Sequence, residues 1–263
     1  MTMRPIRIGV QLQPQHAPYE LIRDRVTELE ELGADIVFNW DHFYPLYGEP
    51  DGLHFESWTM LAAIAEQTSR IELGALVNCN SYRNPNLQAD MARTIDRISA
   101  KGTGTGRFIF GTGSGWFQRD YAEYGYEFGT VGSRLNDLAR ELPIIRDRWT
   151  KLNPPPTRDI PVLIGGGGEK KTLRLVAEHA SIWHSFSDAE TLERKLGILA
   201  GHCSDVGRDT GTIEISVELG RKSAGEADEL RALGASLFTI GLTGPEYDLA
   251  PVREWLAWRD GSR

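Results

Sequence analysis

The chain has 263 residues, 40% of them hydrophobic, and a formal net charge of -8. That composition supplies a large apolar core, and an acidic balance without a basic stripe argues against a nucleic-acid partner. Cys79 and Cys203 lie far apart without metal-ligand spacing, which points to a reducing compartment and away from disulfides or a metal site.

The N-terminal "MTMRPIRIGVQL" enters a strand-like pattern at once and has no signal-peptide core. No stretch has the length and apolarity of a bilayer span, so a cytoplasmic protein without a membrane partner is expected. "IRIGVQL" (6–12) reads as a strand. "YELIRDRVTELEELGA" (19–34) reads as a helix stopped at Gly33. A strand at 35–40, a helix at 55–69, a strand at 70–80 and a helix at 86–99 follow. Next come a strand from 107 that turns glycine-rich, a helix at 133–149 with Pro143 as a possible kink, and a strand at 160–165. The rest alternates in the same way: helix 169–180, strand "SIWHSF", helix 188–205, strand 212–219, helix 226–234, strand 236–242 and helix 247–258.

These are eight strand–helix units, a pattern that predicts a parallel sheet with helical crossovers. Eight units in this length match an α/β fold of the closed (β/α)8 TIM-barrel type, as one domain over 1–263. The open doubly wound alternative carries a glycine fingerprint in its first strand–helix turn, and "QPQHAP" has no glycine. "SAKGTGTGR" (99–107) reads as a loop on the face away from the site.

In such barrels the chemistry lies at the C-terminal ends of the strands. Those ends read "QLQPQH", "NWDHFYP", "NCNSYRNP", "GTGSGW", four glycines and "WHSF". Gly165–Gly168 stand between a strand and a helix. There, free N–H groups bind a phosphate that side chains would keep out; the alternative is a glycine-rich turn. Thr172 could add a hydroxyl. His42 suits proton transfer and Asp41 could orient it; the alternative has Asp41 capping the next segment and His42 packing on Trp40. Trp116 walls a pocket or fills core.

Together these motifs resemble the luciferase-like flavin and deazaflavin oxidoreductase family, a bacterial-luciferase-like barrel. The matching stretches are "NWDHF", "IELGALVNCNSYRNPNLQADMARTIDRIS", "GRFIFGTGSGWFQRDYAEYGYEF" and "PVLIGGGGEKKTLRLVAEHASIWHSF". The branch most resembled uses coenzyme F420. The resemblance implies a homodimer and a non-prolyl cis peptide at Leu76–Val77 beneath the cofactor ring. It also implies ring or ribityl contacts from Asn78 and Asn80, and cofactor-phosphate contacts from Gly166, Gly167 and Gly168. Asp41 and His42 match a pair beside the reactive edge of the ring, with Tyr82 and Trp116 on the substrate side. Lys170 and Lys171 are available to the acidic tail of F420. The sugar-phosphate branch has a lysine soon after strand six, and "WHSFSDAE" offers none, which argues against glucose-6-phosphate. The implied activity is hydride transfer between F420 and a small organic substrate. The alternatives are an FMN-dependent monooxygenase on the same barrel and a deazaflavin-binding protein without turnover.

Overall fold

Residues 4–101 and 104–262 are described by a computed structural model, and the centre of the 99–107 loop, residues 102–103, lies outside them. Nine strand segments form the sheet: β1 (Arg7–Leu12), β2 (Ile36–Asn39), β3 (Glu72–Ala75), β4 (Asn78–Cys79), β5 (Phe108–Gly113), β6 (Val162–Gly165), β7 (Ile182–Ser185), β8 (Glu214–Glu218) and β9 (Ala235–Leu242). Their order is β3-β2-β1-β9-β8-β7-β6-β5-β4, and β3 also pairs with β5, so the sheet closes on itself. Every pairing between these strands is parallel. β3 and β4 are two pieces of one stave, interrupted at Leu76–Val77, whose peptide is cis. The result is the eight-stave TIM barrel that the alternation predicts.

Side chains on a strand point alternately to its two faces, and the barrel uses both. Ile8, Val10 and Leu12 of β1 face outward into the core shared with the helices. Ile36, Phe38, Leu76, Ile109, Leu163, Ile182 and Leu237 fill the interior. Below them Arg7 closes the N-terminal end, its Nε 3.1 Å from Glu214 Oε1.

The helices are α1 (Tyr19–Leu32), α2 (Ser57–Gln67), α3 (Pro85–Ser99), α4 (Gln118–Tyr124), α5 (Val131–Lys151), α6 (Thr172–His179), α7 (Ala189–Asp205), α8 (Ala224–Ala232) and α9 (Ala250–Gly261). Local chemistry fixes several ends. In "RNP", Asn84 caps α3 by accepting from Asn86 N at 2.9 Å, and Pro85 occupies the first turn, where its missing N–H costs nothing. α5 starts at a Thr130–Ser133 capping box, two residues before the expected start, and runs on through Pro143. α6 starts at Thr172 rather than at 169, because Glu169–Lys171 form turns. α4 is an addition to the sequence reading. Its seven residues are too few to show a helical period, and the residues it buries are Asp120 and Tyr121 rather than aliphatics.

Candidate active site

A cavity of about 370 Å³ opens at the C-terminal ends of the strands, within the size range of small-molecule sites. Its wall carries residues from both the sequence-predicted set and the unpredicted one. Asp41, His42, Leu76, Val77, Asn78, Tyr82, Trp116 and Gly166 belong to the first group.

His42 follows β2. Its Nδ1 lies 2.7 Å from Asp120 Oδ2, and Asp120 is fully buried. The same carboxylate accepts from the Tyr82 hydroxyl at 3.1 Å and from Phe43 N at 3.1 Å. A carboxylate only accepts, so this network places the imidazole hydrogen on Nδ1 and leaves Nε2 as the basic nitrogen. Burial pushes the Tyr82 phenol far up, so it stays a donor to Asp120. His42 also packs edge-on against Trp40 and Trp116, each with ring centroids 5.8 Å away. His42 therefore packs on Trp40, as one reading expects, and its Nδ1 is paired with an acid.

That acid is not Asp41. The expectation that Asp41 orients His42 is corrected by the geometry. Asp41 is gripped in two-pronged fashion by Arg83, with Nη1–Oδ2 at 2.7 Å and Nη2–Oδ1 at 3.0 Å, and it accepts from Cys79 N at 3.0 Å. Arg83 also reaches Glu56 at 2.6 Å. Asp41 thus ties the end of β2 to the β4 segment after the cis bond, which holds the cavity floor in place.

Asn78 is part of the same scaffold. Its Oδ1 accepts from Trp58 Nε1 at 2.7 Å and its Nδ2 donates to Gln88 at 2.7 Å. Asn80, expected to contact the ring or ribityl chain, is not among the residues lining the cavity and donates to Glu141 on α5 at 2.8 Å. The Leu76 carbonyl accepts from Gln11 Nε2. Val77 lies between two glycines at neighbouring strand ends. A Cβ on Gly113 would come within 2.8 Å of Val77 Cγ2, and one on Gly165 within 3.0 Å of Val77 Cγ1. Only glycine leaves room there for the inserted valine.

The glycine run is partly committed to the fold. Gly166, at φ +124°, donates its N–H to His184 O at 3.1 Å, and its carbonyl accepts from Trp183 Nε1 at 2.8 Å. The N–H groups of Gly167 and Gly168 have no acceptor among the described residues. A Cβ on Gly167 would meet Lys195 Nζ at 2.3 Å, so an ammonium from α7 lies directly over this backbone. Thr172 Oγ1 stands 2.8 Å from the corresponding point at Gly168. Of the two lysines singled out in the sequence, Lys171 is bonded to Asn136 Oδ1 at 2.6 Å and Lys170 is exposed. The cation that meets the glycines is Lys195. Two unpaired N–H groups, a hydroxyl and an ammonium form a cradle that a side chain would fill, and an anionic group such as a cofactor phosphate fits it.

His184 lines the far wall. Its Nδ1 is 2.9 Å from Ser216 Oγ, and burial pushes its pKa down to about 4. Its folded value lies below the ordinary 6.5, so the unfolded chain takes up the proton first. Stability from this residue is present above pH about 6.5 and is lost as pH falls toward 4, by up to about 3 kcal/mol. His184→Gln should flatten that part of a plot of unfolding free energy against pH. An unchanged slope would show that the imidazole gains solvent or a proton in the folded state.

Sequence reasoning missed Asp120, Arg83, His184, Lys195 and Glu218. Asp120 and Lys195 sit on helices, where charged residues usually face water. The "WHSF" strand end did flag the neighbourhood of His184. Among the described residues no group of three or more His, Cys, Asp or Glu is placed to hold a metal, and no helix is long and apolar enough to cross a membrane.

The fold and cavity define a class: a closed barrel whose strand ends form a polar and aromatic pocket beside an anion cradle. The sequence model of the luciferase-like monooxygenase family matches residues 1–240, and the chain belongs to that family. It is 31% identical over 173 residues to an F420-dependent glucose-6-phosphate dehydrogenase of Amycolatopsis mediterranei, covering 59% of this chain and 49% of that one. It is 28% identical over 251 residues to the pyrimidine monooxygenase RutA of Allorhizobium ampelinum, covering 85% of this chain and 65% of that one. The chain thus spans about half to two thirds of the length of these relatives. Among solved structures, an F420-dependent secondary alcohol dehydrogenase in complex with an F420–acetone adduct superimposes with a TM-score of 0.82. The identity there is 14%, with 94% of this chain and 96% of that one covered. This last likeness is one of fold.

Proposed function

We propose that the protein is an F420-dependent oxidoreductase that transfers a hydride between the deazaflavin and a small organic substrate. The observation that carries the reading is the cavity itself. Its Gly166 edge adjoins the anion cradle at Gly167–Gly168 and Lys195, and its wall includes Leu76, Val77 and His42, which is paired with Asp120. A phosphate-bearing flat ring needs those three parts together.

When bound, the cofactor supplies the hydride. The chain's residues do the rest. Lys195 and the free N–H groups of the glycine run hold the anionic end. Leu76 and Val77, backed by the Asp41–Arg83 pair, set the height of the floor. His42 Nε2 takes or gives the proton that accompanies the hydride, while Asp120 fixes the ring and its tautomer. Trp116 and Trp40 flank His42 at the cavity wall.

The FMN-dependent reading shares the cradle and the floor, and one of the two relatives above is a monooxygenase. Two features favour F420: the motif resemblance lies in its branch, and Lys195 supplies a cation beside the cradle that would suit a longer acidic tail. Side-by-side titration of the cofactor-free protein should show F420 binding at least about tenfold more tightly than FMN, a difference of about 1.4 kcal/mol. Equal affinity, or FMN retained through purification, would move the assignment to the monooxygenase.

A further inference from the structure

The cavity wall has a one-sided charge. Glu218, at the end of β8, lines it, and its carboxylate accepts no hydrogen bond and forms no ion pair among the described residues. Burial raises the pKa of that carboxyl, and only Lys222 opposes the shift. The Lys222 ammonium is occupied with the Glu218 carbonyl oxygen at 3.0 Å. The other carboxylate on the wall, Asp41, is neutralised by Arg83 from behind. Among the described residues no lysine or arginine lines the cavity, and His184 is held neutral.

The rim is aromatic. Trp116 is 62% exposed, Phe186 71% and Tyr47 61%, and all three line the same cavity. Phe186 and Glu218 each follow the Ser185–Val217 pair, the last of the β7–β8 register, so they are neighbours at the strand ends, with Glu218 still paired to Thr239 of β9. Large aromatics rarely stay this exposed without a partner, and ring faces attract organic cations, most strongly where water is displaced. An unpaired carboxylate in a cavity with an aromatic rim is suited to recognise a positively charged nitrogen.

We propose that the substrate of this site carries a cationic nitrogen, a protonated amine or an iminium, which Glu218 pairs with while Trp116 and Phe186 cover it. The proposal rests on the cofactor reading for its chemistry, because an iminium carbon accepts a hydride and becomes an amine. That step forms one C–H bond, moves the electron pair of the C=N bond onto nitrogen and oxidises the reduced deazaflavin that the reading supplies.

The test uses three probes of similar size: benzylammonium, benzyl alcohol and benzoate. Binding is followed by the fluorescence of the wall tryptophans, with and without F420. Benzylammonium should bind the wild type at least about tenfold more tightly than the other two, the order expected of a desolvated cation–π and ion-pair contact. Glu218→Gln should remove most of that preference and leave benzyl alcohol and F420 affinities unchanged. Trp116→Ala should weaken benzylammonium in an otherwise intact protein. Benzyl alcohol or benzoate binding as tightly as benzylammonium would overturn the proposal, and so would a preference that survives Glu218→Gln. Failure of the cofactor reading registers elsewhere, as absent F420 binding, while the probe ranking in the cofactor-free protein still decides the role of Glu218.

Discussion

Arg107→Ala should be among the most destabilising single substitutions in this chain, lowering the unfolding free energy by about 3–5 kcal/mol. Arg107 is 8% exposed and sits just ahead of β5, at the N-terminal end of the barrel. Its guanidinium donates to four backbone carbonyls: Ser99, Ile71, Ala65 and Thr68. A fifth bond reaches Thr68 Oγ1 at 2.9 Å. The carbonyls belong to the ends of α2 and α3 and to the entry of β3, so one side chain closes two helix C-termini and a strand start. Helix C-termini leave carbonyls without partners, and here the arginine fork supplies them. Burial lowers its pKa, while Glu30 and Glu72 act the other way. Alanine would leave the carbonyls buried and unpaired. Arg107→Lys should recover only part of the loss, because an ammonium cannot fan out to all of them. Urea unfolding of the three proteins decides the matter. A loss near 1 kcal/mol for alanine would mean that water enters and replaces the arginine.

This residue also shows where the sequence is readable. "GRFIFGTG" announces a strand through its apolar run, and the run is there as β5. Nothing in the pattern says that the arginine before it turns inward, because its partners are carbonyls of segments far away in the chain. The same division holds elsewhere. Alternating strands and helices predicted the barrel because each unit is a local pattern and the closure rule is general. The break between β3 and β4 was invisible to pattern reading. "LGALVNC" is one continuous apolar run, and only the family resemblance pointed to Leu76–Val77. At the site, Asp41 was chosen as the partner of His42 because it is adjacent in sequence. Adjacent residues at a strand end point in different directions, and Asp120 arrives from 78 residues away on a helix too short to be predicted. Lys170 and Lys171 were named for being next to the glycines, yet α7 delivers Lys195. Residue types at strand ends were legible; their pairings were not, since pairings are made by elements that meet only after the barrel closes.

The second large effect concerns the His42–Asp120 pair. If His42 moves the proton that accompanies hydride transfer, His42→Ala should lower kcat by about 10²-fold or more. F420 affinity should change little, because the proposed cradle and floor contain no atom of His42. Asp120→Asn tests the positioning role. The amide can donate to Nδ1, which would move the hydrogen to Nε2 and remove the base from the side where it is needed. Its kcat should fall by a similar factor with KM little changed. The double variant should be hardly worse than either single one, because two residues acting as one unit give losses that do not add. Tyr82→Phe serves as the control. It removes one hydrogen bond from Asp120 but leaves the carboxylate and the imidazole in place, so its effect should be modest. Loosening of the Phe43 N contact by Asp120→Asn would instead show as a lower unfolding midpoint with F420 binding weakened in parallel. Single-turnover measurements with reduced F420 and a panel of imines, activated alkenes and nitro compounds read the chemical step directly. Full activity in Asp120→Asn, or losses that simply add in the double variant, would show that His42 works without Asp120. Normal single-turnover rates in His42→Ala would return His42 to the role of a ring packed between Trp40 and Trp116.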